Sequence, residues 1–137
     1  MASGLVLDSS AILAVMLGEP GYEQVLDKIA EAGTVLVGAP TLLETAIVLS
    51  ARIGAEAWKH LRWFLREAGA EVVPLSLDHC EAALDAFQRY GKGRHPASLN
   101  FGDCLSYAAA QLAALPLLYT GQDLANTDLP PLNGSPG

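Results

Sequence analysis

The segment Gly4-Leu5-Val6-Leu7-Asp8-Ser9-Ser10-Ala11-Ile12-Leu13-Ala14-Val15-Met16-Leu17 sets one carboxylate between two apolar runs of different character. The first run is short and follows a glycine, as in a strand buried on both faces; the second is longer and opens on two serines, as in a buried helix. Asp8 therefore stands where a strand gives way to a helix. An ionised carboxylate taken out of water without partners is strongly destabilising, and nothing in the packing of such a segment calls for one.

The arrangement recurs further along the chain. Asp103 in Asn100-Phe101-Gly102-Asp103-Cys104-Leu105 heads an Ala-rich apolar helix, Glu44 ends Thr41-Leu42-Leu43-Glu44, and Asp123 ends Thr120-Gly121-Gln122-Asp123. Each has a local alternative. Asp8 can cap the helix that follows it, Thr41 and Glu44 match a capping box, Asp103 suits a helix N-terminus through the macrodipole, and Asp123 or Asp128 can serve a turn. One shared site is the more economical account of all four. Clustered oxygens without a Cys or His ligand set favour a hard cation, Mg²⁺ or Mn²⁺.

Around these acids the chain alternates short β-branched or Leu-rich runs with helical periods, the pattern of an α/β fold with a parallel sheet covered on both faces. The expected strands are residues 4–7, 34–37, 71–74 and 116–119, within a sheet of four to five strands. Helices are expected over 10–17, 21–32, 41–52, 55–68, 77–90 and 102–115, several stopping at glycines. In an open parallel sheet, ligands bind beyond the carboxyl ends of the strands near the point where strand order reverses, and three or four of the acids fall at one such edge. Residues 91–100 read as the one long flexible loop, delivering basic groups just before Asp103. Residues 1–128 form the expected domain and 129–137 a short C-terminal tail.

Composition agrees with one compact domain. The chain has 137 residues, 51% of them hydrophobic, enough to bury roughly 68% of the unfolded surface. No apolar run reaches the ~20 residues of a membrane-spanning helix, and no basic segment precedes an apolar one as in a signal peptide, so the expected location is the cytoplasm. Cys80 and Cys104 have no metal-site spacing, nor do His60, His79 and His95. The net charge of −7 argues against nucleic acid, but seven basic residues fall in two segments, Arg52, Lys59, Arg62 and Arg66, then Arg89, Lys92 and Arg94. Such segments either steer phosphates locally or are solvated helix faces.

Taken together, the blocks Leu5 to Ala14, Glu19-Pro20, Pro40 to Glu44, Leu99 to Ala108 and Tyr119 to Asp128 resemble the PIN-domain ribonucleases, and among them the VapC-type toxins of toxin–antitoxin pairs. The resemblance spans nearly the whole domain in the family's order. It implies a metal-dependent endoribonuclease in which Asp8, Glu44, Asp103 and Asp123 hold Mg²⁺ or Mn²⁺, with Ser10 as a hydroxyl helper; Asp128 is the other candidate for the fourth acid. It also implies an RNA substrate, a VapB-like antitoxin and a homodimer. Arg89, Lys92 and Arg94 become candidates for holding flanking phosphates. Ser9 and Leu124 depart from the family's usual Thr and aromatic without removing a ligand.

Other classes fit less well. A receiver-like signalling domain calls for paired acids and a lysine after the last strand, whereas Asp8 stands alone and Thr120-Gly121-Gln122 has no lysine. A phosphatase with a DxD motif fails because Ser10 occupies the second acidic place, and no GxGxxG turn offers a dinucleotide site. The alternatives within the fold are an inactive binding module and a nuclease for DNA or structured nucleic acid.

Overall fold

A computed structural model describes residues 3–121 and 123–129, and of Asp123 the backbone alone. Strands β1 (Gly4–Leu7), β2 (Thr34–Gly38), β3 (Ala70–Val73) and β4 (Leu117–Leu118) form one sheet in the order β3-β2-β1-β4. Every pairing is parallel. The chain therefore builds outward from β1 to β3 and then returns to add β4 on the other side. Strand order reverses between β1 and β4.

Six helices accompany the sheet: α1 (Ser9–Leu17), α2 (Tyr22–Glu31), α3 (Ala39–Ile53), α4 (Ala57–Ala68), α5 (Leu77–Tyr90) and α6 (Phe101–Ala113). Leu5 and Leu7 of β1 pack with residues of α1 to α4, while Val6 packs with α5, α6 and Leu124. This alternation follows from the period of two along a strand. With both faces covered, β1 is apolar throughout, and its side chains are at most 1% exposed.

The elements follow the sequence reading closely, apart from shifts of a residue or two at several ends, and three differences bear on the site. First, α3 begins at Ala39 with Gly38 as its cap and Pro40 in its first turn, where a missing N–H is no loss. Thr41 therefore lies inside the helix and is buried, so the capping box weighed as the local alternative for Glu44 is not formed. Second, α6 ends at Ala113, Ala114 adopts a left-handed conformation, and Pro116 cannot continue a helix. Third, the 91–100 loop is tied at its base rather than loose. Leu99 N–H donates to Tyr90 O and Lys92 N–H to Leu99 O, each at 2.9 Å, and Ala97 and Leu99 are fully buried. Their apolar side chains, read as loop residues in the sequence, are the anchors.

Leu129 packs on the core cluster of α5 and α6; the rest of the expected tail, 130–137, lies outside the described residues. Among the described residues no helix is long and apolar enough to cross a membrane.

Candidate active site

The carboxyl end of β1 hands its backbone directly to α1 through Asp8, whose extended conformation makes it the N-cap. Ser10 donates to Asp8 Oδ2 twice, from its backbone N–H at 3.0 Å and its hydroxyl at 2.6 Å. Ser106 of α6 donates its hydroxyl to Oδ1 at 2.5 Å. A carboxylate has about four lone-pair sites, and three accept these bonds. Thr120 N–H in turn donates to Ser10 Oγ at 3.0 Å, which fastens the chain after β4 to the head of α1. The cap and the expected helper hydroxyl are thus one device.

Behind Asp8 runs a row of hydroxyls. Among the described residues the buried polar side chains are Asp8, Thr41, Thr45 and Ser106. Thr41 Oγ1 lies 3.3 Å from Ser106 Oγ, and since the single Ser106 proton faces Asp8, Thr41 is the donor. Thr45 Oγ1 donates to Thr41 O at 2.7 Å. Buried polar atoms demand partners, and here each finds one in a row that ends on the carboxylate.

Asp103 sits one turn before Ser106 on α6. It forms a capping box with Asn100: Asp103 N–H donates to Asn100 Oδ1 at 2.9 Å and Asn100 N–H to Asp103 Oδ2 at 3.1 Å. Glu44 reaches the same helix head from α3. An ideal Cβ on Gly102 would fall 2.6 Å from Glu44 Oε2 and 2.7 Å from Oε1, so this carboxylate lies directly against the glycine before Asp103. Its pKa is held above the ordinary carboxylate value, first by burial, then by the negative charges of Asp8 and Asp103; a hydrogen bond with Ser9 opposes the rise. Asp8, Glu44 and Asp103 therefore share one electrostatic field, at the edge where strand order reverses.

Asp123 opens a single 3-10 turn, Asp123–Asn126, just after β4; its side chain lies outside the described residues. Asp128 is engaged elsewhere. Tyr107 OH donates to its Oδ1 at 2.5 Å and Arg89 Nη2 to its Oδ2 at 3.0 Å. These bonds, the one from Tyr107 foremost, hold the Asp128 carboxyl below the usual range against the opposing effect of burial. Arg89 is likewise committed: it also donates to Tyr90 OH at 2.7 Å and reaches Asp85 at 3.4 Å. Lys92 and Arg94 stay exposed on the anchored loop, with the Arg94 guanidinium 5.5 Å from the Phe87 ring centre.

The donors at the sheet edge are all hard oxygens. Among the described residues no three acidic, His or Cys side chains stand close enough to enclose a metal as they are. Mg²⁺ does not require such a cage, because it keeps several waters and binds proteins through one or two carboxylates. The crowding felt by Glu44 is the charge that such a cation relieves, so donor type and charge both fit. Cys104 beside Asp103 is not a competing ligand, since burial and then Asp103 push its thiol up to about 11.

Three residues of the site escape the sequence reading. Ser106 carries a signal, as a polar residue one turn after Asp103 within an apolar helix. Ser9 enters that reading only as a departure from the family's usual Thr. Gly102 has no local signal, because its meaning depends on α3.

Comparison with known proteins agrees with this geometry. Residues 5–129 match the PIN domain family. The chain is 44% identical over 126 residues to ribonuclease VapC36 of Mycobacterium tuberculosis, covering 91% of each protein. The fold is similar to the crystal structure of VapC20 of Mycobacterium tuberculosis, described as a sarcin-ricin loop cleaving toxin, with a TM-score of 0.76, 17% identity and 93% and 98% coverage of the two chains. It is also similar to a chain of a toxin–antitoxin complex from Klebsiella pneumoniae, with a TM-score of 0.67, 18% identity and 90% and 92% coverage. A carboxylate-edged parallel sheet with this strand order, matched over nearly its full length, makes the chain a member of the PIN-domain family, in its VapC ribonuclease branch.

Proposed function

We propose that the chain is a metal-dependent endoribonuclease, the toxin of a VapBC-type pair. The observation that carries this reading is the gathering of Asp8, Glu44 and Asp103 at the carboxyl edge of the sheet, with the Glu44 carboxylate laid against Gly102 and its pKa raised by burial and then by the charges of Asp8 and Asp103. Asp8, Glu44, Asp103 and Asp123 would hold Mg²⁺ or Mn²⁺. Bound there, such an ion supplies Lewis acidity toward a phosphodiester oxygen and lowers the pKa of an attacking water.

The protein's own groups orient and exclude. Ser10 and Ser106 fix the Asp8 carboxylate from both sides and leave it little rotational freedom. The Asn100 box fixes Asp103, and Ser9 lies within hydrogen-bonding reach of Glu44. Lys92 and Arg94, exposed on the loop that leads into the helix of Asp103, suit the flanking phosphates of an RNA that the acids alone would repel. Arg89, bound to Asp128, serves the fold of that region first. By the family's hydrolytic route, water rather than a ribose 2′-hydroxyl would attack phosphorus and the 3′-oxygen would leave, giving 5′-phosphate and 3′-hydroxyl ends.

The family branch and the Klebsiella pneumoniae complex support an antitoxin as partner. Leu43 and Ile47 on α3 and Trp58 and Trp63 on α4 are each at least 50% exposed, and exposed large apolar groups of this kind suit a protein surface. A homodimer and a cytoplasmic location complete the reading. The test is cleavage of end-labelled RNA by the purified protein with Mg²⁺, Mn²⁺ or EDTA, alongside Asp8→Asn and Asp103→Asn. Cutting should need metal and vanish in both variants; cutting that survives EDTA overturns the proposal.

A further inference from the structure

Gly102 is buried in the first turn of α6 and follows a helical path. Its φ is not positive, unlike that of Gly18 or Gly69, which end α1 and α4 in the left-handed region. Backbone freedom therefore gives no reason for a glycine here, and glycine is a poor helix residue. Space gives the reason. The three atoms nearest to an added Cβ all belong to one side chain, Glu44 Oε2, Oε1 and Cδ, at 2.6, 2.7 and 2.9 Å. Any side chain at 102 would occupy the place of the Glu44 carboxylate.

We propose that Gly102 is the positioning residue for Glu44: its missing side chain leaves the clearance through which a carboxylate from α3 comes to lie beside Asp103 on α6. The inference rests on the metal-site reading for its functional consequence, but the clearance is a property of the protein alone. Glu44 is long and its carboxylate is the flexible end, so an added methyl displaces the acid rather than unfolding the helix. The Gly102→Ala protein should stay folded with its acid in the wrong place, and its defect should be one of metal binding.

Two measurements separate the parts. In EDTA, thermal unfolding is compared for the native protein, Gly102→Ala, Glu44→Ala and the double variant. The alanine at 102 is expected to raise Tm when Glu44 is absent, and to raise it less or lower it when Glu44 is present. Additive shifts overturn the clearance. Mn²⁺ titration by calorimetry is then expected to show at least tenfold weaker binding by Gly102→Ala, with part of the loss restored by adding Glu44→Asp, whose shorter side chain clears the methyl. Native-strength Mn²⁺ binding by Gly102→Ala overturns the positioning role. If the native protein itself binds no Mn²⁺, the metal-site reading falls and the unfolding cycle alone decides whether Gly102 seats Glu44.

Discussion

Two carboxylate clusters lie on this small domain and treat charge in opposite ways. At the β1 edge Glu44 faces Asp8 and Asp103, and its pKa is raised. Across α6, Asp128 meets Tyr107 OH and the Arg89 guanidinium, and its pKa is lowered. One cluster contains its own cation, Arg89; in the other, the charges that act on Glu44 are those of two further acids. An acid satisfied internally holds structure together, here by tying the segment after the 3-10 turn to α5 and α6. Acids left crowded cost stability in the free protein, and the cost is understandable where an outside cation arrives to offset it.

The largest effect should come from the crowded cluster. Replacing Asp8 by Asn or Glu44 by Gln is expected to slow single-turnover RNA cleavage about 10²-fold or more, the scale of losing one preorganised electrostatic group. Asp128→Asn should leave cleavage intact, and an equal loss there would abolish the distinction between the clusters. Next comes Ser106→Ala, which strips Asp8 Oδ1 of its buried donor. A fall of about 10–100-fold in activity or Mn²⁺ affinity is expected for such an outer partner. Urea unfolding should show a loss of about 1–3 kcal/mol from the bond left unmade. Native turnover in this variant would detach the hydroxyl row from the chemistry.

The paired cluster should respond in stability alone. Tyr107→Phe removes the hydroxyl that holds Asp128 and is expected to cost about 1 kcal/mol in urea, since the carboxylate is partly solvated, with cleavage unchanged.

The smallest and most diagnostic effect is in pH. The lowered Asp128 pKa means its stabilisation is present near neutrality and is lost as pH falls through the native value. Asp128→Asn should therefore flatten the acid limb of a Tm profile. Glu44 has the opposite sign, because its raised pKa means that stability is lost as pH rises through the native value. Without metal, Glu44→Gln should have a higher Tm than the native protein near neutral pH, and the gap should close in acid below the ordinary carboxylate range. A gap that widened in acid would reverse the assignment of crowded and paired.

Much of the fold is legible along the chain because its elements are local. The run from Leu5 to Leu7, the Ala-rich run after Asp103 and the glycines near helix ends carry their periods and stops within a few residues. Strand β1 has the expected bounds, and the other strands differ from expectation by one residue at one or both ends. The loop at 91–100 was harder, since Ala97 and Leu99 look like any small or apolar loop residues until α5 and α6 offer them a pocket. Glu44 was harder still. Its spacing from Thr41 imitates a capping box, and only the earlier start of α3 at Ala39, with Thr41 turned into the hydroxyl row, shows that the box is absent.

Asp8, Glu44 and Asp103 could be named from the primary structure because a carboxylate amid apolar neighbours is anomalous wherever the chain goes. The same applies to the α/β alternation, which depends on periods of 2 and 3.6 read over short windows. Contacts between distant segments were out of reach. Ser106 meets Asp8 across 98 positions of chain, Arg89 meets Asp128 across 39, and the emptiness of Gly102 has meaning only once α3 lays Glu44 upon it. Which acid is paired and which is left crowded is a matter of what folding brings within a few ångströms, because charge and hydrogen bonding act through space and leave no periodic trace in the order of residues.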